Sequence, residues 1–179
     1  MGESDDSTPV RPSWDEYSRW LIDKTGQEVV TTARARFELV SQKIRSDIEA
    51  SAFWTKVVSA FSEINDEYTS RYRYKLFVTP DLPIIVVKPY QSLLEKTYRK
   101  NILSNHNWPS PPDEDWITPL NWYGRINDIA RTTVVVKYLD GVEFFVERAQ
   151  GFAEQYGHSF RVDYEANTRD FRCFGLSGV

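Results

Sequence analysis

From residue 83 onward the chain reads as strand, helix, strand, helix, strand, and this order constrains its fold more than any other feature. Residues 83–87, with Ile84, Ile85, Val86 and Val87, form a short apolar run that reads as a buried strand closed by Lys88 and Pro89. Residues 91–103 read as a helix. Residues 132–138, with Val134, Val135 and Val136, carry the strongest strand signal in the chain. Asp140 then opens a helix running to Tyr156, with Val142, Phe145, Val146, Ala149 and Phe152 on one side and Gly157 as the stop. Residues 159–164 read as a further strand. Alternation of this kind argues for a sheet with helices packed on it, an α/β or α+β class.

The first half has a different period. Ser13 followed by Glu16 is a capping-box pattern that opens a short helix through Trp14, Tyr17 and Leu21, and Gly26 ends it. A second amphipathic helix starts at Gln27, with Val30, Phe37, Val40 and Ile44 near one face. Ser46 or Asp47 could cap a third, whose apolar positions Ile48, Phe53, Val57, Phe61, Ile64 and Tyr68 recur at threes and fours. The expected organisation is a disordered leader over 1–11 and one domain over 12–179. Within it a helical layer, 12–75, packs on a mixed sheet formed by 83–175. Residues 104–125 hold Pro109, Pro111, Pro112 and Pro119 and read as a long loop, of the kind that is functional or disordered.

Composition removes several classes. Lys and Arg total 22 against 26 Asp and Glu, a formal charge of -4, which argues against duplex DNA binding but leaves room for a local phosphate pocket. Aromatic residues make up 15%, enough for a stacking surface, with a bulky core as the plainer reading. Cys173 is the single cysteine, so no intramolecular disulfide forms, and it has no activating neighbours. His106 and His158 lack partners at metal-ligand spacing. There is no long apolar run, and the first residues lack a basic-then-apolar leader. Asp6 stands where a myristoylation motif wants Ser or Thr. A cytoplasmic protein is expected, with no membrane partner.

Two clusters could carry chemistry. Lys88 at a strand end, Ser92 near a helix start, Lys96 one turn on and Arg99 three further make a natural polyphosphate cradle with the free N–H groups of a helix N-terminus. Taken alone, a solvated basic face is the plainer reading. Asp128 precedes the valine strand, where a carboxylate can hold Mg²⁺ beside substrate phosphates, and Arg131 could meet a phosphate oxygen. A turn with a surface salt bridge is the plainer reading there.

Together they resemble the synthetase domain of the RelA/SpoT family over about residues 84–175. The likeness lies in Lys88, Ser92 and Lys96 at fourfold spacing, Asp128 and Arg131 entering a valine-rich strand, then Tyr138, Leu139, Asp140 and Val142 opening a helix, and Asp163–Tyr164 at a strand end. The resemblance implies a nucleotidyltransferase-like sheet. It also implies a GTP pyrophosphokinase-like activity, moving the β,γ-pyrophosphate of ATP to the 3′-hydroxyl of a guanine nucleotide in guanosine tetraphosphate metabolism. In that scheme Lys88, Ser92, Lys96 and Arg99 hold ATP phosphates, Asp128 holds Mg²⁺ and Arg131 assists. Phe171 is the candidate for stacking on the acceptor base. The acceptor is left open among GDP, GTP, an adenine nucleotide and a tRNA end.

The sequence departs from the family in places. Val86 stands where many members have Arg, and Phe174 where they have a hydrogen-bonding His. The 104–125 loop is longer. The family's catalytic Glu lies on a strand beyond Val179, and Glu165 is in the wrong motif to replace it. The expectation is therefore a truncated or degenerate synthetase domain, with an incomplete sheet and impaired turnover. The first alternative is a catalytically inactive module that binds nucleotide or docks a partner through its N-terminal helices and the Trp-rich 108–122 segment. The second is a structural α/β domain with both clusters as surface charge.

Overall fold

The computed structural model describes residues 9–79 and 83–155, together with the backbone of 159–163 and 172–177. The fold is mostly helical, with small strands. In chain order the elements are α1 (Tyr17–Thr25), α2 (Gln27–Glu49), α3 (Ala52–Tyr72), β1 (Ile85–Val87), α4 (Tyr90–Tyr98), a π-helical turn (Arg99–Leu103), α5 (Trp122–Arg125), β2 (Ala130–Thr132), α6 (Leu139–Gln155), β3 (Ser159–Asp163) and β4 (Arg172–Ser177). They group into two compact units. One comprises residues 1–47 and 85–131, the other 48–84 and 132–179.

Local sequence explains the helix boundaries of the first unit. The Ser13 N–H and hydroxyl both donate to the Glu16 carboxylate, at 2.9 and 2.8 Å, closing a turn from which α1 departs. Gly26 stops α1 at φ +92°, a left-handed geometry that glycine adopts without a Cβ penalty. Ala33, Phe37 and Ser41 of α2 are buried at a spacing of four. The core joins Ala33 and Phe37 to Leu93, Ile117, Trp122, Ile126 and Ile129. A second cluster gathers Tyr17, Leu21 and Ile102, flanked by Trp20, Tyr98 and Trp108. Pro9 and Arg11, at the end of the expected leader, are held in this unit. The Trp108 indole N–H donates to the Pro9 carbonyl at 3.0 Å, and the Arg11 guanidinium grips the carbonyls of Ile102, Leu103 and Asn105.

Residues 104–121 are irregular but anchored, because the Asn101 side chain acts as a backbone substitute. Its amide nitrogen donates to the Ile117 carbonyl at 2.7 Å and the Tyr17 hydroxyl at 2.9 Å, and its oxygen accepts from the Ile117 N–H at 2.9 Å. Asn101 is fully buried, so these bonds replace water that the π-helical turn excludes.

In the second unit, Ile64 and Tyr68 of α3 pack with Leu76, Phe77 and Phe144. The third helix is capped by Ser51, which accepts from the Trp54 N–H at 3.1 Å, and α2 runs on through Ser46 and Asp47. Gly141 lies so close to the core that a Cβ there would meet Leu76 Cδ1 at 2.8 Å. Strands β3 and β4 pair antiparallel, with Phe160 opposite Leu176 and Arg161 opposite Phe174. Gly175 is the extra residue of that bulge.

The strand expectations need correction. The valine run is not a long central strand. Regular pairing with β1 ends at Thr132, and residues 134–136 make one antiparallel bridge, Phe77 with Val136, flanked by Val78 N–H to Val135 carbonyl at 3.0 Å. Val134 and Val136 pack on the core while Val135 is exposed, so one face is buried and one is wet. Nor is β1 buried on both faces: Ile85 is inside and Val86 is exposed. Among the described residues the strands form two separate pairs, β1 with β2 and β3 with β4. No helix among them is long and apolar enough to cross a membrane.

Candidate functional site

The site sits in the first unit, where β1 meets α4. Lys88 follows β1, and its backbone N–H donates to the Ile129 carbonyl at 2.7 Å. That bond sets the end of β1 beside the segment 126–129. Ile126 and Ile129 are both buried and pin the segment, which presents Asp128 between them. On α4, Leu93 and Thr97 face the core, and Lys96 lies at the flank of that buried stripe.

The three charged groups meet. Lys88 Nζ lies 2.9 Å from Asp128 Oδ2 and Lys96 Nζ lies 2.7 Å from Asp128 Oδ1. Their side chains are only 11%, 23% and 29% exposed for Lys88, Lys96 and Asp128. Burial pushes the Asp128 carboxyl upward, but hydrogen bonds from Lys96 and Lys88 outweigh it and hold the group below the usual carboxylate range. Two cations around one anion leave a local charge of +1. Such a site attracts a multivalent anion and opposes an isolated cation.

The geometry joins three of the expected site residues and leaves the others apart. Ser92 is half-buried, one helical turn from Lys96, in the first turn of α4. Pro89 caps that helix without a side-chain hydrogen bond. Arg99, at the start of the π-helical turn, and Arg131, in β2, are exposed and make no ion pair among the described residues. Phe171 and Glu165 lie outside the described residues. Val86, where an Arg was sought, is 46% exposed and brings no charge.

The donor set does not fit a resident Mg²⁺. Asp128 is a lone carboxylate, and both of its oxygens already accept from ammonium groups. Among the described residues no three His, Cys, Asp or Glu side chains converge. A divalent ion placed there alone would face two lysines at contact distance.

Two polar features escaped the sequence reading. Asn101 lies on the stripe of Leu93 and Thr97 at fourfold spacing, but a search for apolar periodicity scores it as solvent-facing. Asp140 does not start α6 as its cap, since the helix opens at Leu139. Its Oδ2 accepts from the Tyr68 and Tyr74 hydroxyls at 2.8 and 3.1 Å. The Tyr68 bond is the main reason its carboxyl is held low. Comparison of the chain with protein-family models, with curated proteins and with solved structures finds no match.

Proposed function

We propose that this chain binds the phosphates of Mg-ATP at Lys88 and Lys96 and acts as a RelA/SpoT-type pyrophosphotransferase on a guanine nucleotide. Its place is in cytoplasmic guanosine tetraphosphate metabolism, on a nucleotidyltransferase-like fold. One observation carries the proposal. Lys88, Lys96 and Asp128, separated in sequence by a helix and a long loop, come together in a part-buried charge cluster.

In this reading Asp128 is a placeholder. It holds both ammonium groups on its two oxygens, so their ordering precedes binding. A polyphosphate, carrying more charge than one carboxylate, displaces it and takes both lysines. Mg²⁺ enters with ATP as part of the substrate. The acceptor 3′-hydroxyl loses its proton to solvent water as its oxygen attacks the β-phosphorus of ATP, the bond from that phosphorus to the α,β-bridging oxygen breaks, and AMP leaves. Lys88 and Lys96 stabilise the charge on the migrating group. Ser92 and the uncapped first turn of α4 supply neutral donors, and Arg99 and Arg131 supply outer positive charge.

A second reading is favoured by a specific observation: Val86 is neutral and exposed, and both Asp128 oxygens are engaged. In it the cluster binds nucleotide without turnover. The discriminating experiment incubates the protein with γ-phosphate-labelled ATP, Mg²⁺ and GDP, GTP, AMP or tRNA, and separates products by thin-layer chromatography. Label on an acceptor, lost in Lys96→Ala, supports transfer. Mg-ATP binding by calorimetry with no labelled acceptor supports the binding module. No binding and no transfer overturns both.

A further inference from the structure

In the second unit α3 runs out into a segment that alternates cation and ring: Arg71, Tyr72, Arg73, Tyr74 and Lys75, all exposed. The rings are held in place. Buried Tyr68 packs on both, with ring centroids 4.5 Å from Tyr72 and 5.4 Å from Tyr74. Tyr72 and Tyr74 lie 6.2 Å apart, and Tyr138 meets Tyr74 edge-on at 4.8 Å. Tyr138 is 53% exposed and Tyr72 and Tyr74 36% each, so all three rings keep surface open to solvent. Asp140 accepts from the Tyr68 and Tyr74 hydroxyls, which ties Tyr74 to the buried ring.

Cations interleave with these rings. The Arg71 guanidinium lies 5.4 Å from the Tyr72 ring centre. The Lys137 N–H donates to the Leu76 carbonyl at 3.0 Å beside the Phe77–Val136 bridge, which brings the backbone of Lys137 and Tyr138 alongside Lys75. Arg73, Lys75 and Lys137 are exposed and make no ion pair among the described residues. Of the nearby carboxylates, Glu67 is bound by the Arg148 Nε–H at 2.8 Å and Asp140 by the two hydroxyls, so positive charge dominates. Arg73 ends α3 in left-handed backbone, at φ 69° and ψ 12°, a geometry that favours glycine. An arginine here adds charge against the backbone preference.

Fixed rings with flanking cations match an unpaired polynucleotide, whose bases offer flat faces for stacking and whose phosphates meet the cations. A duplex hides those faces, and the chain's net charge of -4 gives no broad basic field for one. An anionic lipid surface would use the cations but has no flat face to stack on the rings. We infer that the Arg71–Lys75 segment, with Lys137 and Tyr138, binds single-stranded nucleic acid, the tyrosines stacking on bases and the cations taking phosphates. All of these residues belong to the second unit, so the inference does not depend on the lysine cluster or the nucleotide reading.

The test is fluorescence anisotropy of the full chain with labelled single-stranded RNA and DNA of about twelve nucleotides, and with the matching duplexes, at about 50 and 200 mM salt. Phosphatidylserine vesicles form a separate arm, read by co-sedimentation. Single strands, of RNA or of DNA, bind about fivefold tighter than duplex or better. Tyr138→Ala weakens that binding about fivefold or more, and Tyr138→Phe recovers most of the loss, as stacking requires. Arg73→Gly weakens it too and makes the logarithmic salt slope shallower by about 0.7, while thermal unfolding stays unchanged or rises. Because it removes a charge without weakening the fold, Arg73→Gly decides the matter if Tyr138→Ala fails to fold. Equal or tighter duplex binding overturns the inference. So do unchanged affinity in both Tyr138→Ala and Arg73→Gly, binding to vesicles without binding to a strand, and no binding to any strand.

Discussion

Replacing Asp128 by Asn removes the charge that holds Lys88 and Lys96 together while keeping the shape of the side chain. Two charge-assisted hydrogen bonds are at stake, at 2.9 and 2.7 Å. The amide oxygen of Asn can still accept from one ammonium, but its NH₂ faces the other, donor against donor. Removing one partner of a fully buried ion pair costs about 3–5 kcal/mol. These side chains are between 11% and 29% exposed, so solvent screens part of that cost and about 2 kcal/mol is the appropriate scale. For a chain of this length that is a fall in Tm of roughly 4–8 °C. The pH dependence has a definite sign. The Asp128 carboxyl is held lower in the folded protein than its ordinary value, so the stabilisation is complete above the unfolded value of about 3.9. It disappears as pH falls through the lower folded value. Wild type and Asp128→Asn therefore differ at about pH 7 and converge in stronger acid. Urea unfolding at low ionic strength, followed by near-ultraviolet circular dichroism across this range, reads both effects. No gap at neutral pH, or a gap that does not shrink as pH falls below the unfolded value, refutes the account of Asp128 as the electrostatic centre of the cluster.

Other substitutions probe other parts of the structure. Lys96→Ala weakens Mg-ATP binding by about tenfold or more in calorimetry, whereas Lys100→Ala, an exposed residue of the π-helical turn, changes it by less than about twofold; equal losses would leave only a diffuse basic face. Asn101→Leu strands the Ile117 N–H and carbonyl, takes one donor from the Tyr17 hydroxyl and costs about 3 kcal/mol or more in urea unfolding. A loss under about 1 kcal/mol would mean that the 104–121 segment is held by its apolar contacts alone. Two glycines of α6 move in opposite directions: Gly151→Ala, with nothing within 4 Å of the new Cβ, raises stability by about 0.5–1 kcal/mol. Gly141→Ala pushes on buried Leu76 and lowers stability by about 1 kcal/mol despite the same gain in helix propensity.

What the sequence made legible was local. Helix starts and stops at Gly26 and Gln27 follow from residue chemistry over three or four positions, so they read off directly. The third helix cap went to Ser51 and not to Ser46 or Asp47, because α2 keeps its apolar side for one more turn, with Ile44 and Ile48 half-buried. The valine run misled for a physical reason. Strand propensity says that Val134, Val135 and Val136 suit an extended backbone. It does not say that a neighbouring strand exists along the whole run. Pairing is a non-local property, and here it amounts to one bridge to Phe77.

The candidate site shows the same divide more sharply. Fourfold spacing puts Ser92 and Lys96 on one face of α4, which the sequence states outright. It does not state that Asp128, 32 residues after Lys96, comes to lie against that face. The link needs Ile126 and Ile129 to be buried and the Lys88 N–H to find the Ile129 carbonyl, and neither condition has a signature in residue types. The same contact alters the role that Asp128 can fill. Read as an isolated carboxylate before a strand, it is a metal ligand. Set between two ammonium groups, it is the counter-ion that keeps them ordered and part-buried at low cost, since a lone buried lysine pair would repel. A ligand that takes over this cluster must therefore bring at least as much negative charge as Asp128 gives up. Monoanions should compete poorly, and affinity should climb steeply from phosphate to pyrophosphate to tripolyphosphate.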